Sequence, residues 1–298
     1  MAPLFTRAPM VGSCGAMVAV GGMAASYGPV IPELQARFQL SEAAAGAALS
    51  VQVVGTVIGV LIAQPVLRRW GNRATLVTAL SLIVAGAMLI ALAPSWPVVL
   101  AGAAVAGLGI GGCDPLITQL FILGLGSRSP RMVNIVHGCF GIGTVAAPFL
   151  VAGIGAERYP LVFGSVAFLA VLALSTMRPL APRPTPADSP TDAPQAVRTP
   201  QAARLGAVIV GGLLTLYIAH FAVQFGIGNW LPTRLLDLGH SSLLASLATS
   251  GYWLMMVIGR FSAAALAHRI SPTTLVTVST VGMTGAILLA FYPPATIW

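Results

Sequence analysis

The sequence predicts an all-α, polytopic membrane protein with nine transmembrane helices, six before a linker and three after it. Three observations predict this. The chain of 298 residues is 57% hydrophobic and only 7% charged, with a mean hydropathy of +0.90. Soluble domains carry about 25% charged residues, so this chain cannot cover its own surface with polar groups and must be solvated by lipid. Apolar runs of the roughly 20 residues needed to cross a bilayer recur along almost the whole chain, and the alternation expected of barrel strands is absent. The arginines gather at alternate ends of those runs, which marks a fixed orientation in the membrane.

The runs fall at 10–31, 44–66, 74–93, 97–124, 132–154, 160–177, 205–230, 243–267 and 272–293. The first follows Arg7 and continues past Ala25 without a processing site, so it reads as a retained span and not a cleaved leader. Cys14, Cys113 and Cys139 lie inside apolar stretches at no metal-ligand spacing and predict neither a disulfide nor a metal site. No cofactor is expected. Between the sixth and seventh runs, residues 178–204 contain RPLAPRPTPADSPTDAPQAVRTP, whose prolines and small polar residues predict a flexible linker. The domain reading is therefore an N-terminal bundle over 1–177, a linker over 178–204, and the first three helices of a second bundle over 205–298.

With the N-terminus inside, the cytoplasmic segments hold Arg7, Arg68, Arg69, Arg73, Arg128, Arg131, Arg178, Arg183, Arg198, Arg204 and Arg269, which is 11 of the 15 arginines. Outer loops hold Arg37, Arg158 and Arg234, and Arg260 falls within the eighth run. The N-terminus and linker are thus expected in the cytoplasm, with the chain in the cytoplasmic (inner) membrane. This placement also accounts for the net charge of +8 without a nucleic-acid partner.

An internal repeat runs at an offset of 200. IPELQARFQLSEAAAGAALSVQVVGTVIG (31–59) aligns with LPTRLLDLGHSSLLASLATSGYWLMMVIG (231–259), pairing Pro32 with Pro232, Ser41 with Ser241, and Val57-Ile58-Gly59 with Val257-Ile258-Gly259. The register reaches Arg69 and Arg269 and then slips by one. Spans one to three and seven to nine are read as copies of one unit. Parallel repeats of six spans about a loop are a known transporter architecture; by that symmetry three further spans are expected after Trp298.

At this point the chain resembles the major facilitator superfamily. The loop after the second span reads QPVLRRWGNR against that family's GxxxDRxGRR, so Arg69, Gly71 and Arg73 match while Gln64 and Arg68 replace the glycine and aspartate. The second copy reads AAALAHRIS, with His268 at the aspartate position beside Arg269. The resemblance implies that Arg68, Arg69, Gly71, Arg73, His268 and Arg269 form a gating loop, although the aspartate that latches the family's inner gate is missing. Three fragments, GLGIGGCDPLITQ, NIVHGCFGIGTVAAP and QFGIGNWLPT followed by SGYWLMMVIGR, further resemble the fucose-permease-like sugar transporters. Asp114, Asn134, His137, Phe140, Gly141, Gly143, Asn229, Trp230 and Pro232 match that branch, whereas Thr118 replaces an asparagine and Gln224 a glutamate.

Asp114 is the only acidic residue inside an expected span, and such a group is costly in hydrocarbon, so by default it marks a site. It is suited to exchanging a proton or to binding a hydroxyl-bearing solute; its structural alternative is a carboxylate that caps a helix break at Gly112-Pro115 or meets the cytoplasmic arginines. Asn134 and His137 share a helix face, as do His220 and Gln224. Gln224 leads towards Asn229 and Trp230, and amide with indole suits a sugar, since aromatic faces stack on C–H surfaces while amides bind hydroxyls. Trp230 also fits a plain interfacial anchor.

The expected solute-binding set is therefore Asp114, Thr118, Asn134, His137, His220, Gln224, Asn229 and Trp230. The function expected is secondary transport of a small polar solute, a sugar by resemblance, in a monomer embedded in the lipid bilayer, with protons as a coupling ion. An exporter of drugs or metabolites in the same superfamily and a non-transporting fragment or sensor remain alternatives. An intramembrane aspartyl protease needs paired aspartates, and the spans offer only Asp114, so no enzyme is expected.

Overall fold

The computed structural model describes residues 6–125, 128–181, 200–266 and 270–291. Among these are eight α-helices: α1 (Arg7–Phe38), α2 (Glu42–Ala91), α3 (Trp96–Gly124), α4 (Ser129–Ile154), α5 (Tyr159–Ser175), α6 (Pro200–Asp237), α7 (Ser242–Leu266) and α8 (Pro272–Phe291), with a 3-10 turn at Ala156–Arg158. Two compact units divide the chain, residues 1–254 and 255–298. His268 and Arg269 lie outside the described residues, as does most of the linker; its last residues, from Pro200, already belong to α6.

The second and third expected spans emerge as one assigned helix of 50 residues. At about 1.5 Å per residue such a helix would be roughly 75 Å long, more than twice the hydrocarbon thickness of about 30 Å. It is broken at Gly71, whose φ of 81° and ψ of 176° lie outside the helical region. That region is essentially confined to glycine. Beside the break, Thr75 donates its hydroxyl to the Gly71 carbonyl at 2.8 Å.

The direction of the two arms follows from their contacts with α3. On one side of α3, Gly55 backs onto Ala104 and Gly59 onto Leu108, so the first arm runs parallel to α3. On the other side, Gly86 meets Gly102 and Ala106 while Gly109 meets Ala79 and Ile83, so the second arm runs antiparallel to it. The arms are therefore antiparallel to each other, and α2 is a hairpin of two spans about Gly71. Gly107 and Gly111 complete the seam by lying against the backbone of Gln52 and Thr56. Close helix approach through small residues is how membrane helices gain van der Waals contact without a hydrophobic driving force.

The outward face of the first arm is apolar: Val53, Val54, Val57, Ile58 and Leu61 are exposed while Gln52, Gly55 and Gly59 are buried. This inverts the soluble-helix pattern and is what lipid solvation requires. The core is built around α1, where Ala16, Met17, Val20, Met23, Tyr27 and Val30 are buried among α3, α4 and α5 residues.

Among the described residues, six helices are long and apolar enough to cross a membrane: α1, α2, α3, α4, the helix of the 3-10 turn with α5, and α7. Over the described residues α6 and α8 fall short of that measure; α8 keeps an apolar stretch at Val276–Leu289. Within it Thr277, Thr280 and Thr284 each donate a hydroxyl to the carbonyl one turn earlier at 2.8–2.9 Å. The first helix also departs from expectation, running to Phe38 instead of Ile31. Leu34 is buried, and the Arg37 guanidinium lies 5.5 Å from the Phe38 ring centroid and 5.6 Å from that of Tyr159, so the polar extension has partners of its own.

The repeat carries through to geometry. Gln39, with φ 53°, ends α1, and Leu40 N–H returns to the Gln35 carbonyl at 3.0 Å; Gly239, with φ 86°, follows α6, and His240 N–H returns to Leu235 at 3.0 Å. Ser41 then accepts from Ala44 N–H at 3.3 Å, and Ser241 from Leu244 N–H at 3.2 Å. Each is a left-handed helix stop followed by a serine N-cap, repeated 200 residues apart.

Candidate functional site

Two groups of the expected residues can be placed. In the first, α3 carries Asp114 and Thr118 one helical turn apart, both half-buried. Thr118 Oγ1 lies 3.4 Å from His137 Nε2 on α4, so hydroxyl and imidazole meet across the α3–α4 contact. One turn before His137, Asn134 is exposed. A carboxyl, a hydroxyl and an imidazole therefore share one region of two adjacent helices. Such a set can hydrogen-bond a polyhydroxylated solute and can accept or donate a proton.

In the second group, Gln224 of α6 is buried and its backbone carbonyl accepts from the Tyr252 hydroxyl of α7 at 2.9 Å. Around it Phe221 stacks on Phe225 at 5.4 Å, and Phe225 in turn lies 5.6 Å from Trp253. Trp253 is fully buried, and its indole Nε1 has no hydrogen-bond partner among the described residues. A buried N–H donor without a partner forfeits its hydration, so the indole carries a cost that a polar partner would relieve. His220 is exposed, with its ring edge against Phe221 at 6.1 Å.

Asn229 and Trp230 are engaged differently. Asn229 is 1% exposed, its Oδ1 accepting from Gly28 N–H at 3.2 Å and its Nδ2 donating to the Phe225 carbonyl at 3.0 Å. Both ends of that amide are thus taken by backbone. The Trp230 ring rests against Gly46 of α2, where an added methyl would meet it at 2.9 Å.

At the hairpin of α2, Arg68, Arg69 and Arg73 are exposed around Gly71. Where the gating-loop pattern has its first glycine, Gln64 donates to Gln119 Oε1 of α3 at 3.2 Å. A neutral amide pair therefore ties these helices beside the arginines. Among the described residues, no cluster of three or more His, Cys, Asp or Glu could hold a metal ion.

Sequence reasoning passed over Tyr252 and Trp253. Both lie in the quoted fragment SGYWLMMVIGR, but aromatic residues inside an apolar run look alike whether they face lipid or protein. An available signal was their spacing from the repeat: the first copy has Gln52 and Val53 at those positions, so two aromatics are an addition specific to the second copy.

A family model described as the Major Facilitator Superfamily matches residues 13–298. No curated protein sequence matches. Among solved structures, a D-xylose-proton symporter is similar over 88% of this chain and 69% of its own, with 15% identity and a TM-score of 0.66. The xylose transporter XylE from E. coli, in a partially occluded inward-open conformation, is similar over 89% of this chain and 73% of its own, with 17% identity and a TM-score of 0.58. The inward-open conformation of XylE gives 16% identity, a TM-score of 0.58, and 88% and 69% coverage. Identities this low establish the shared fold.

Proposed function

Because this chain belongs to the major facilitator superfamily, a superfamily of multi-pass membrane transporters, we propose that it is a secondary carrier of a small polar solute, a sugar, driven by protons. The observation that carries this reading is the meeting of Thr118 with His137 one turn from Asp114. Asp114 is the proton-exchanging group, and Thr118 and His137 hold the solute hydroxyls from the first bundle. Gln224, Tyr252 and Trp253 supply amide, hydroxyl, aromatic face and indole donor from the helices after the linker. The solute passes by alternating access between the bundle before residue 178 and the helices after residue 204. The N-terminus and linker lie in the cytoplasm, a placement that the arginine distribution supports, and the membrane is the cytoplasmic one. Small-solute transport by sugar carriers of the same fold supports the choice of cargo.

Uptake into proteoliposomes tests this directly, using a panel of labelled monosaccharides that includes xylose, with and without an inward proton gradient. At least one sugar should accumulate, and the gradient should raise its accumulation. Asp114→Asn should abolish the response to the gradient while leaving downhill exchange, and His137→Ala should weaken both by about tenfold, the effect of losing roughly 1.4 kcal/mol of binding. No uptake of any sugar would sink the cargo assignment; gradient-driven uptake unchanged in Asp114→Asn would remove the proton role.

A further inference from the structure

Cys14 and Cys139 stand 125 residues apart in the sequence, one on α1 and the other on α4. The fold presses these two helices together. Gly143 of α4 lies against the Val18 carbonyl of α1, with the Gly22 nitrogen 2.7 Å from an added methyl, and Gly21 of α1 lies against the Phe140 carbonyl. Val18 and Gly143 are also 125 residues apart. An α-helix turns once in about 3.6 residues, so Cys14 and Cys139 each lie one turn before a member of that pair. The register that sets glycine on backbone at Val18 thus sets the two cysteines opposite each other. There their thiols hydrogen-bond to one another.

The third cysteine is placed differently. Cys113 of α3 is fully buried in the core, whereas Cys14 and Cys139 are half-buried at its edge. A buried cysteine behaves as a small apolar residue, and that accounts for Cys113. Packing alone does not call for two thiols in contact. What the pair adds is chemistry, because a disulfide needs Cα atoms within roughly 7 Å of each other. Helices reach such a separation only in close backbone contact, and the glycines of this interface provide it.

We propose that Cys14 and Cys139 form an oxidisable dithiol, a modification site at which a peroxide converts the paired thiols into a disulfide joining α1 to α4. One thiol gives up its proton and its sulfur attacks the peroxide; the O–O bond breaks, leaving a sulfenic acid and one water. The second sulfur then displaces the sulfenic oxygen as another water. Two thiols lose two protons and two electrons, and one hydrogen peroxide becomes two waters. A small-molecule thiol reverses the reaction by exchange. Cys139 lies two residues after His137, whose imidazole meets Thr118 of α3. The disulfide therefore fixes against α1 the stretch of α4 that carries His137. The proposal stands on contacts within the helices before the linker and does not depend on the transport reading.

The unaltered full chain, held in nanodiscs, is treated with hydrogen peroxide and then denatured in excess maleimide. Free thiols are counted by intact mass, and the bridge is located in a non-reducing digest. Free thiols should fall from three to one, with the Cys14 and Cys139 peptides linked and Cys113 still free, and dithiothreitol should restore all three. Cys113→Ser should form the same bridge. Cys14→Ser and Cys139→Ser, taken as monodisperse protein, should form no bridge within the chain. Three free thiols after treatment, thiols lost without a bridge, a bridge that includes Cys113, or linkage between two chains would each overturn the proposal.

Discussion

The two copies of the repeat, α1 with the first arm of α2 and α6 with α7, share their turns but not their surroundings. Each copy ends its first helix in a left-handed residue, Gln39 or Gly239, and starts its second from a serine cap. Each also points the isoleucine of its Val-Ile-Gly triplet outward, Ile58 at 42% exposure and Ile258 at 46%. The glycine of the triplet separates them. Gly59 is pressed against the backbone at Leu108, whereas Gly259 has no described atom within 4 Å of an added methyl. Local sequence thus encodes the turn and the lipid-facing side in both copies, while the use made of the third, small residue depends on whether another helix lies against it.

That difference gives the largest expected effect. Gly59→Val would drive a branched side chain into the α3 backbone, where no flexible side-chain end can give way. Overpacking of a tight core costs typically 1–3 kcal/mol, and a collision with backbone falls at the upper end. The variant should lose monodisperse protein on size exclusion at temperatures well below those tolerated by the parent. Gly259→Val should shift the same profile little. Equal damage from both would mean that Gly259 is packed as tightly as Gly59 and that the two copies do not differ at this residue.

Much of this arrangement is legible in the sequence, because two physical rules act locally. Transfer of side chains into hydrocarbon sets the spans, so α3, α4, α5 and α7 begin and end within three residues of the apolar runs. Turn chemistry repeats with the serine and the left-handed residue, so the 200-residue register is visible before any contact is known. What escaped depends on partners distant in sequence. Hydropathy ends the first span at Ile31, but the helix runs on because Arg37 finds the rings of Phe38 and Tyr159. Asn229 is expected among the solute ligands because amide with indole suits a sugar; its amide meets the Gly28 N–H and the Phe225 carbonyl, and nothing in its sequence neighbourhood indicates that α1 supplies one of these partners. Trp253 was overlooked for the opposite reason, since burial, not sequence, distinguishes a protein-facing indole from a lipid-facing one.

The residues that follow each copy sharpen the comparison at intermediate cost. In the first, Gly71 makes the turn at φ 81° and ψ 176°; in the second, Ser271 caps the following helix, accepting from Thr274 N–H at 3.1 Å. Gly71→Ala places a side chain in a region that costs of order 1–3 kcal/mol. It should lower the thermal midpoint measured by a thiol-reactive dye, with Cys113, buried in α3, reporting release of the hairpin. Ser271→Gly, which loses a cap without straining the backbone, should cost only a few tenths of a kcal/mol. A Gly71→Ala protein as stable as its parent would show that the two arms of α2 turn without needing the glycine.

The smallest effect tests what the copies have in common. Ser41 and Ser241 cap their helices through the same i to i+3 bond, at 3.3 and 3.2 Å, and both are exposed. Losing an N-cap to alanine costs about 1 kcal/mol, within a range of roughly 0.5–2, and exposure limits any further packing loss. Ser41→Ala and Ser241→Ala should therefore lower stability by similar small amounts, read by the same dye. The double variant should show close to the sum, because distant sites without shared partners add. If Ser41→Ala costs much more than Ser241→Ala, the turn is not an autonomous piece of local structure. The burial of α1, and not the cap, would then be what holds the first copy's turn in place.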